Sequence, residues 1–363
     1  MATTARSGRL DSVDALRGLT VAAMIFVNSP GDWAHLWWPF AHAEWHGCTP
    51  TDLIFPNFLF LVGVSLALAG GPRHDAGADL AALQRAWWWR ALRILLLGWG
   101  LAAAIAFAFG TAWRPFGVLQ RIAICFAVAG WLYLHAAPRT RWIVWSLLLL
   151  GYGLLLQTGG DLGRDTSLPS RVDTWLLGPL AYRYDAATGL GHEPEGLLST
   201  LGALATTLLG SACGDWLRRR QQRPLVLTGL ACTAAGLALD AAWLPMNKAL
   251  WTPPFVLFTG GVAALALSAA HTLIDRRGWP ALGRRFGINA ITAYAGSMLM
   301  VCLLGGMHTQ GRSLHAWLFE QGLGWVVPRL GPEAASHAWA LTQVVFWWGL
   351  LRWMDARRIR ISI

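Results

Sequence analysis

TDLIFPNFLFLVGVSLALAG, residues 51–70, is an apolar run whose only charge is Asp52, next to its start. As an α-helix it rises about 1.5 Å per residue, so twenty residues reach about 30 Å, the thickness of a bilayer hydrocarbon core. Working outward, similar runs occupy 13–30, 87–110, 116–136, 141–157, 196–216, 224–243, 252–274, 286–306 and 336–354. The spacing predicts an all-α integral membrane protein with about ten transmembrane helices. The first run holds Asp14 and Arg17 and is followed by no small-residue cleavage site, so it reads as a retained helix and not as a signal peptide.

Composition agrees. Of 363 residues, 55% are hydrophobic and 13% charged, and the mean hydropathy is +0.44. That is too apolar to build a water-facing surface. The net charge of +10 would suit a nucleic-acid partner if the cations formed one patch, but they fall mostly in every second connection. Arg6 and Arg9, Arg73 and Arg85, Arg139 and Arg141, Arg218 to Arg220 with Arg223, Arg276, Arg277, Arg284 and Arg285, and Arg357, Arg358 and Arg360 all fit the cytoplasmic side of a positive-inside pattern. Both termini are then cytoplasmic, the partner medium is lipid, and nucleic acid is excluded. The longest connections, 30–50, 158–195 and 307–335, fall on the outer face.

No composition break or short repeat divides the chain, so 1–363 reads as a single transmembrane domain. The absence of a GxxxxGK[ST] loop and of any long cytoplasmic connection argues against an ATP-driven pump. Cys48, Cys125, Cys213, Cys232 and Cys302 are widely spaced and form no CxxC site. Trp33, Trp37, Trp38, Trp87, Trp88, Trp89, Trp347 and Trp348 lie near segment ends, as an interfacial aromatic belt requires.

Ionisable groups inside membrane segments cost about 2.5–3.5 kcal/mol each on insertion scales, which directs attention to the few present. Asp14 and Arg17 share a helix face and suit an ion pair inside the bundle. Asn28 ends the first segment as a cap or a ligand contact. Gln120 and Arg121 lie within the fourth segment, where an arginine needs a carboxylate or an anionic ligand. Lys248, the only lysine, stands beside Asn247 in an outer connection, Glu195 lies in the acidic stretch 158–195, and Asn289 starts the ninth segment. The densest polar cluster is AHAEWHGCTPTDLIFP, 41–56, with His42, Glu44, His46 and Asp52. Thr51 or Asp52 suits the N-cap of the following helix, with Pro50 before it. An imidazole at this boundary can accept a proton from an amine or hydroxyl, or itself carry an acyl group. It can also be a structural hydrogen-bonding group, and the residues alone leave that open. His42 and His46 are four apart, but the surrounding ligands a metal needs are not arranged about them, so no metal site is assigned.

Taken in order, RLDSVDALRGLTV, HAEWHGCTPTDLIFPNFLFLVG, GVLQRIA, HEPEGLLSTLGALATTLLG, PMNKALWTPPFVL and FGINAITAY resemble the transmembrane acyltransferase family that includes heparan-α-glucosaminide N-acetyltransferase, and in particular its bacterial NagX-like members. The resemblance covers nearly the whole chain. It implies a multi-pass enzyme of a bacterial inner membrane that takes acetyl groups from cytosolic acetyl-CoA and delivers them to an amino-sugar or glycan acceptor on the other side. It matches His42 to the family's active-site histidine and Asn28 to the asparagine near it. His46 replaces the asparagine of the family's HAxWNG pattern.

That chemistry needs a proton acceptor and oxyanion donors. The implied roles are His42 as base or transient acetyl carrier and Asn28, or amides near Thr51, as oxyanion donors. Arg121, Gln120 and Arg17 would bind the cofactor. Asp14, His46, Asp52, Glu195, Asn247, Lys248 and Asn289 remain substrate-binding or supporting polar residues. The same reading expects a cytoplasm-facing cavity lined by arginines and reaching Arg121, and allows a homodimer. A transporter of N-acetylglucosamine or a related sugar, and an O-acyltransferase acting on an envelope glycan, are the competing functions.

Overall fold

The computed structural model describes residues 10–361; Arg6 and Arg9 lie outside the described residues. The helices are α1 (Asp11–Asn28), α2 (Ile54–Asp75), α3 (Leu80–Phe109), α4 (Val118–His135), α5 (Pro138–Thr158), α6 (Leu168–Leu177), α7 (Ser199–Arg218), α8 (Gln222–Ala242), α9 (Pro253–Ala270), α10 (Arg284–Ile288), α11 (Ala290–Gly306), α12 (Leu314–Leu323), α13 (Val327–Leu330) and α14 (Pro332–Ala356). Two short hairpins, β1 (Arg183–Asp185) with β2 (Leu190–His192) and β3 (His308–Thr309) with β4 (Arg312–Ser313), decorate the connections. The protein is an all-α integral membrane protein. Among the described residues, six helices are long and apolar enough to cross a bilayer: the stretch Pro50–Asp75 containing α2, then α3, α4, α5, α8, and α9 with its π-helical extension to Arg276.

The remaining apolar segments of the sequence coincide with α1, α7, α11 and α14, which carry more polar or charged positions or are shorter. The segment expected at 286–306 is broken at Asn289, where α10 ends and α11 begins. Asn289 Oδ1 there accepts from Ile361 N at 3.3 Å.

The centre of the bundle is built on α2, α7 and α9, whose Leu59, Phe60, Val64, Leu209, Cys213, Phe255 and Val256 are buried together. Small residues let α2 and α7 approach closely: a Cβ on Gly63 would lie 1.9 Å from Thr207 O, and one on Gly210 would lie 2.0 Å from Phe60 O. By contrast α3, α5 and α8 are mostly uncovered and present Leu96, Phe107, Leu147, Leu150, Leu227 and Leu230 outward. In water such a surface would be untenable; in lipid it is the expected coat. The tryptophan expectation needs one correction. Trp33, Trp37, Trp38, Trp88, Trp89 and Trp348 are exposed, but Trp87 and Trp347 point into the core, because consecutive helical positions are about 100° apart and cannot all face the interface.

Ion pairs show which helix ends lie together. Asp11 pairs with Arg284 at 2.7 Å and Arg285 with Asp355 at 3.6 Å, while Ser12 N donates to Asp275 Oδ1 at 3.2 Å. The start of α1, the ends of α9 and α14 and the α10 helix therefore share one end of the bundle. Asp215 of α7 receives Arg141 of α5 at 3.1 Å and Arg218 at 2.8 Å, and Arg218 also reaches Asp75 of α2 at 2.6 Å. One cavity wall includes both Arg73 and Ile361, so this second network lies at the same end.

Candidate active site

At the opposite end, the loop before α2 folds back on the helix start and brings His42 to Asp52. His42 Nδ1 lies 2.7 Å from Asp52 Oδ1, and Lys248 Nζ lies 3.3 Å from the same oxygen. The other carboxylate oxygen accepts from Ala43 N at 3.0 Å and Thr49 N at 3.1 Å. Thr49 Oγ1 shares its proton between Asp52 Oδ2 at 3.0 Å and Ala41 O at 2.7 Å. The expected cap at Thr51 or Asp52 is thus corrected. Thr49 caps the short 3₁₀ turn Pro50–Leu53 in a capping box with Asp52, and Thr51 Oγ1 instead donates to Pro39 O at 3.0 Å. Capping occupies one oxygen of Asp52 and leaves the other for the imidazole.

Asp52 is 1% exposed, whereas the His42 side chain is 49% exposed. A carboxylate accepts only, so Nδ1 must carry the proton of that hydrogen bond, and the lone pair is on Nε2. Lys248 Nζ lies 3.0 Å from Nδ1 and 3.4 Å from Nε2. With Nδ1 already committed to Asp52, the amine rests against the ring and does not compete for that nitrogen. Burial pushes the Lys248 amine below its ordinary value, against the opposing pull of Asp52 and Glu195.

The two loops are tied to each other. Asn247, fully buried, donates from Nδ2 to Trp45 O at 2.8 Å and accepts Leu250 N at 2.8 Å. Gly47 N donates to Met246 O at 2.7 Å. Trp45 Nε1 donates to Leu162 O at 2.7 Å, and Arg164 donates to Glu44 O at 2.6 Å. His46 is exposed, and its Nδ1 is 3.4 Å from Asn247 Nδ2. Asn247 therefore ties the two loops together, and His46 stands exposed beside it. No hydrogen bond joins Asn28 to His42 among the described residues.

Glu195 lies deeper. Arg114, on the loop before α4, grips both Glu193 and Glu195 and lies over Tyr182 at 4.5 Å. Burial works against the charge of Glu195, but Arg114 and Arg121 hold its carboxyl below its ordinary value, while burial raises that of Glu193. Arg121 is 1% exposed. Its Nη2 donates to Pro194 O at 3.0 Å, Gly196 O at 3.3 Å and Ser199 Oγ, and its guanidinium lies 5.0 Å from the Trp251 ring. It pins the connection into α7. Replacing Arg121 with alanine is expected to lower stability by about 2–3 kcal/mol, the worth of a charged hydrogen-bonding group, and to leave affinity for an anionic ligand of the opposite end unchanged; thermal melts with and without that ligand check both.

The arginine-lined cavity is elsewhere. It has a volume of about 700 Å³ and is walled by Arg17 of α1, Arg73 of α2, Arg90 of α3 and Ser65, with apolar side chains between them. Arg121 and Gln120 do not line it, although their neighbours Leu119 and Ile122 do, because the helix turns Arg121 towards the start of α7 and sets Gln120 against Gly98 of α3. This corrects the expectation that the cavity reaches Arg121. Arg17 pairs with the buried Asp14 at 3.3 Å and donates to Gly287 O at 3.1 Å, so both lie inside the bundle. Asn289 stands at this end with Ile361, far from His42.

A family model described as heparan-alpha-glucosaminide N-acetyltransferase, catalytic, matches residues 9–239. The chain belongs to this family. The human heparan-alpha-glucosaminide N-acetyltransferase is 28% identical over 352 residues, covering 79% of this chain and 52% of the relative. The mouse protein of the same name is 27% identical over 354 residues, covering 80% of this chain and 53% of the relative. The chain thus spans about half the length of the curated relatives it matches.

For this member of the N-acetyltransferase family, α2 acts as a ruler. From Asp52 to Arg73 is twenty-one residues, about 30 Å of rise, so the Asp52–His42 pair and Arg73 stand a bilayer's hydrocarbon thickness apart, at opposite ends of this apolar helix. The cavity extends along α2 from Arg73 as far as Phe58, which leaves about 9 Å of helix between its inner limit and Asp52. Just above that limit, Asn57 Nδ2 donates to Thr20 Oγ1 at 2.6 Å, while its Oδ1 is buried without a partner. Sequence reasoning missed Arg90 as a candidate site residue and Asn57 as a buried polar group beside the cavity. Both were visible as polar groups inside apolar runs, a signal applied to Arg121 but not to them.

Proposed function

We propose that the chain transfers the acetyl group of acetyl-CoA, bound in the arginine-lined cavity, to the amine of a glucosamine-type sugar arriving at the His42 end. The observation that carries this reading is α2 itself, with Arg73 in a cationic cavity at one end and the carboxylate that orients His42 at the other. Arg73 and Arg90 pair with no carboxylate among the described residues, and Arg17 adds a third cation. Phosphates of CoA are the complementary charge. The apolar walls between Arg90 and Phe58 suit the uncharged arm that carries the thioester towards Asn57 and His42.

In the transfer, Nε2 of His42 takes the proton from the sugar's ammonium or from the attacking amine, and Asp52 stabilises the imidazolium that results. The amine attacks the thioester carbonyl, a C–N bond forms, the C–S bond breaks, and the proton passes to the leaving thiolate. Asn57 lies one residue beyond Phe58, the cavity's last lining position on α2, where its bond to Thr20 ties α2 to α1. The positive-inside pattern puts the Arg73 end and both termini on the cytoplasmic side, and the resemblance to bacterial members favours a bacterial inner membrane, with the chain as one membrane unit.

Acetyl-CoA should raise the melting temperature of the purified protein, since a ligand present at one hundred times its Kd adds about 2.7 kcal/mol. Arg90→Ala is expected to weaken that binding by about ten- to a hundredfold, the loss of a charge-assisted contact. Unchanged affinity would remove the phosphates from this cavity. Parallel assays with glucosamine and with a sugar lacking the amine separate N- from O-transfer, and sugar uptake without CoA release would point to transport.

A further inference from the structure

We propose that Lys248 is itself an acetyl acceptor, so that the protein acetylates its own active-site lysine when acetyl-CoA is bound and no sugar is present. The inference rests on the acetyltransferase reading above and extends it to a modification site. Its basis is the position of Nζ. A primary amine, the functional group of the sugar acceptor, lies 3.0 Å and 3.4 Å from the two ring nitrogens of His42. With its side chain 27% exposed, it reaches the mouth where the acceptor must enter.

Three further features favour the reaction. Nδ1 of His42 is held by Asp52, so the lone pair stays on Nε2, 3.4 Å from Nζ. Burial favours the neutral, nucleophilic amine. Acetylation also leaves Asp52 satisfied, because His42 Nδ1, Ala43 N, Thr49 N and Thr49 Oγ1 still donate to it. The step balances: Nζ attacks the thioester carbonyl, the C–N bond forms as the C–S bond breaks, and the proton lost by Nζ passes through Nε2 to the departing thiolate. The products are N-acetyl-lysine and CoA.

The chain has one lysine, so the modification is easily localised. Purified protein is incubated with acetyl-CoA, with and without glucosamine, and read by intact mass and peptide mapping. The expected result is a gain of one acetyl group on Lys248, suppressed by excess glucosamine and at least tenfold faster than in detergent-unfolded protein given the same acetyl-CoA. Lys248→Arg, which keeps the charge, should show no gain. Protein that acetylates glucosamine while Lys248 stays unmodified, or is modified no faster than the unfolded chain, overturns this inference and leaves the proposed function standing. Protein that acetylates neither overturns both.

Discussion

His42→Ala is expected to reduce acetyl transfer by about a thousandfold or more, the combined worth of a positioned base and any covalent role, while the protein remains folded and still binds acetyl-CoA. The contrast follows from the burial of the two partners. His42 is half exposed and contributes one hydrogen bond to Asp52. After its removal the buried carboxylate keeps Ala43 N, Thr49 N and Thr49 Oγ1 on one oxygen and Lys248 on the other. A histidine serving only structure would give the reverse pattern, a lowered melting temperature with turnover per folded molecule preserved. His46→Ala is the matched control. Its ring is exposed, lies 6.0 Å from the Trp45 ring and has Asn247 Nδ2 at 3.4 Å, so a loss of less than about tenfold is expected, short of what an acid–base group supplies.

Asp52→Asn tests how His42 is prepared. The amide oxygen must face Ala43 N and Thr49 N, which need an acceptor, and this turns the NH₂ towards His42 Nδ1. Two donors cannot share one bond, so the imidazole shifts its proton to Nε2 and loses the lone pair aimed at the acceptor. A fall in kcat of about 10²–10⁴ is expected, with the donor's KM nearly unchanged because the cavity begins about 9 Å further along α2. Turnover within a few-fold of the parent would mean that Asp52 only caps the turn.

How much of this was legible before the structure differs from residue to residue. Residues 51–70 fixed the class of fold, because a continuous apolar stretch of that length has few alternatives. The cluster 41–56 was visible as a site, since charge and imidazole at a membrane boundary have a high solvation cost to offset. What stayed hidden was direction. Asp52 could be read as a cap, and the sequence does not show that its two oxygens serve two masters, the Thr49 turn and His42. Lys248 lies 206 positions from His42, and only the Asn247 and Gly47 contacts between loops bring it there. Arg121 and Arg90 were equally conspicuous as intramembrane cations; which one faces a cavity depends on helix rotation, a property set by packing against α7 and α2. The tryptophan run 87–89 shows the same limit, with Trp87 buried and its two successors exposed.

The central claim is that acetyl groups cross the membrane through this bundle, from a cavity at one end to an acceptor at the other. The most direct test reconstitutes the protein in sealed vesicles, with protease accessibility of the termini giving its orientation. Labelled acetyl-CoA is supplied to one compartment and glucosamine to the other. The account predicts that acetylglucosamine forms in the compartment opposite acetyl-CoA, and only when acetyl-CoA is on the Arg73 and Arg90 side. Product that forms only when both substrates share a compartment would contradict it.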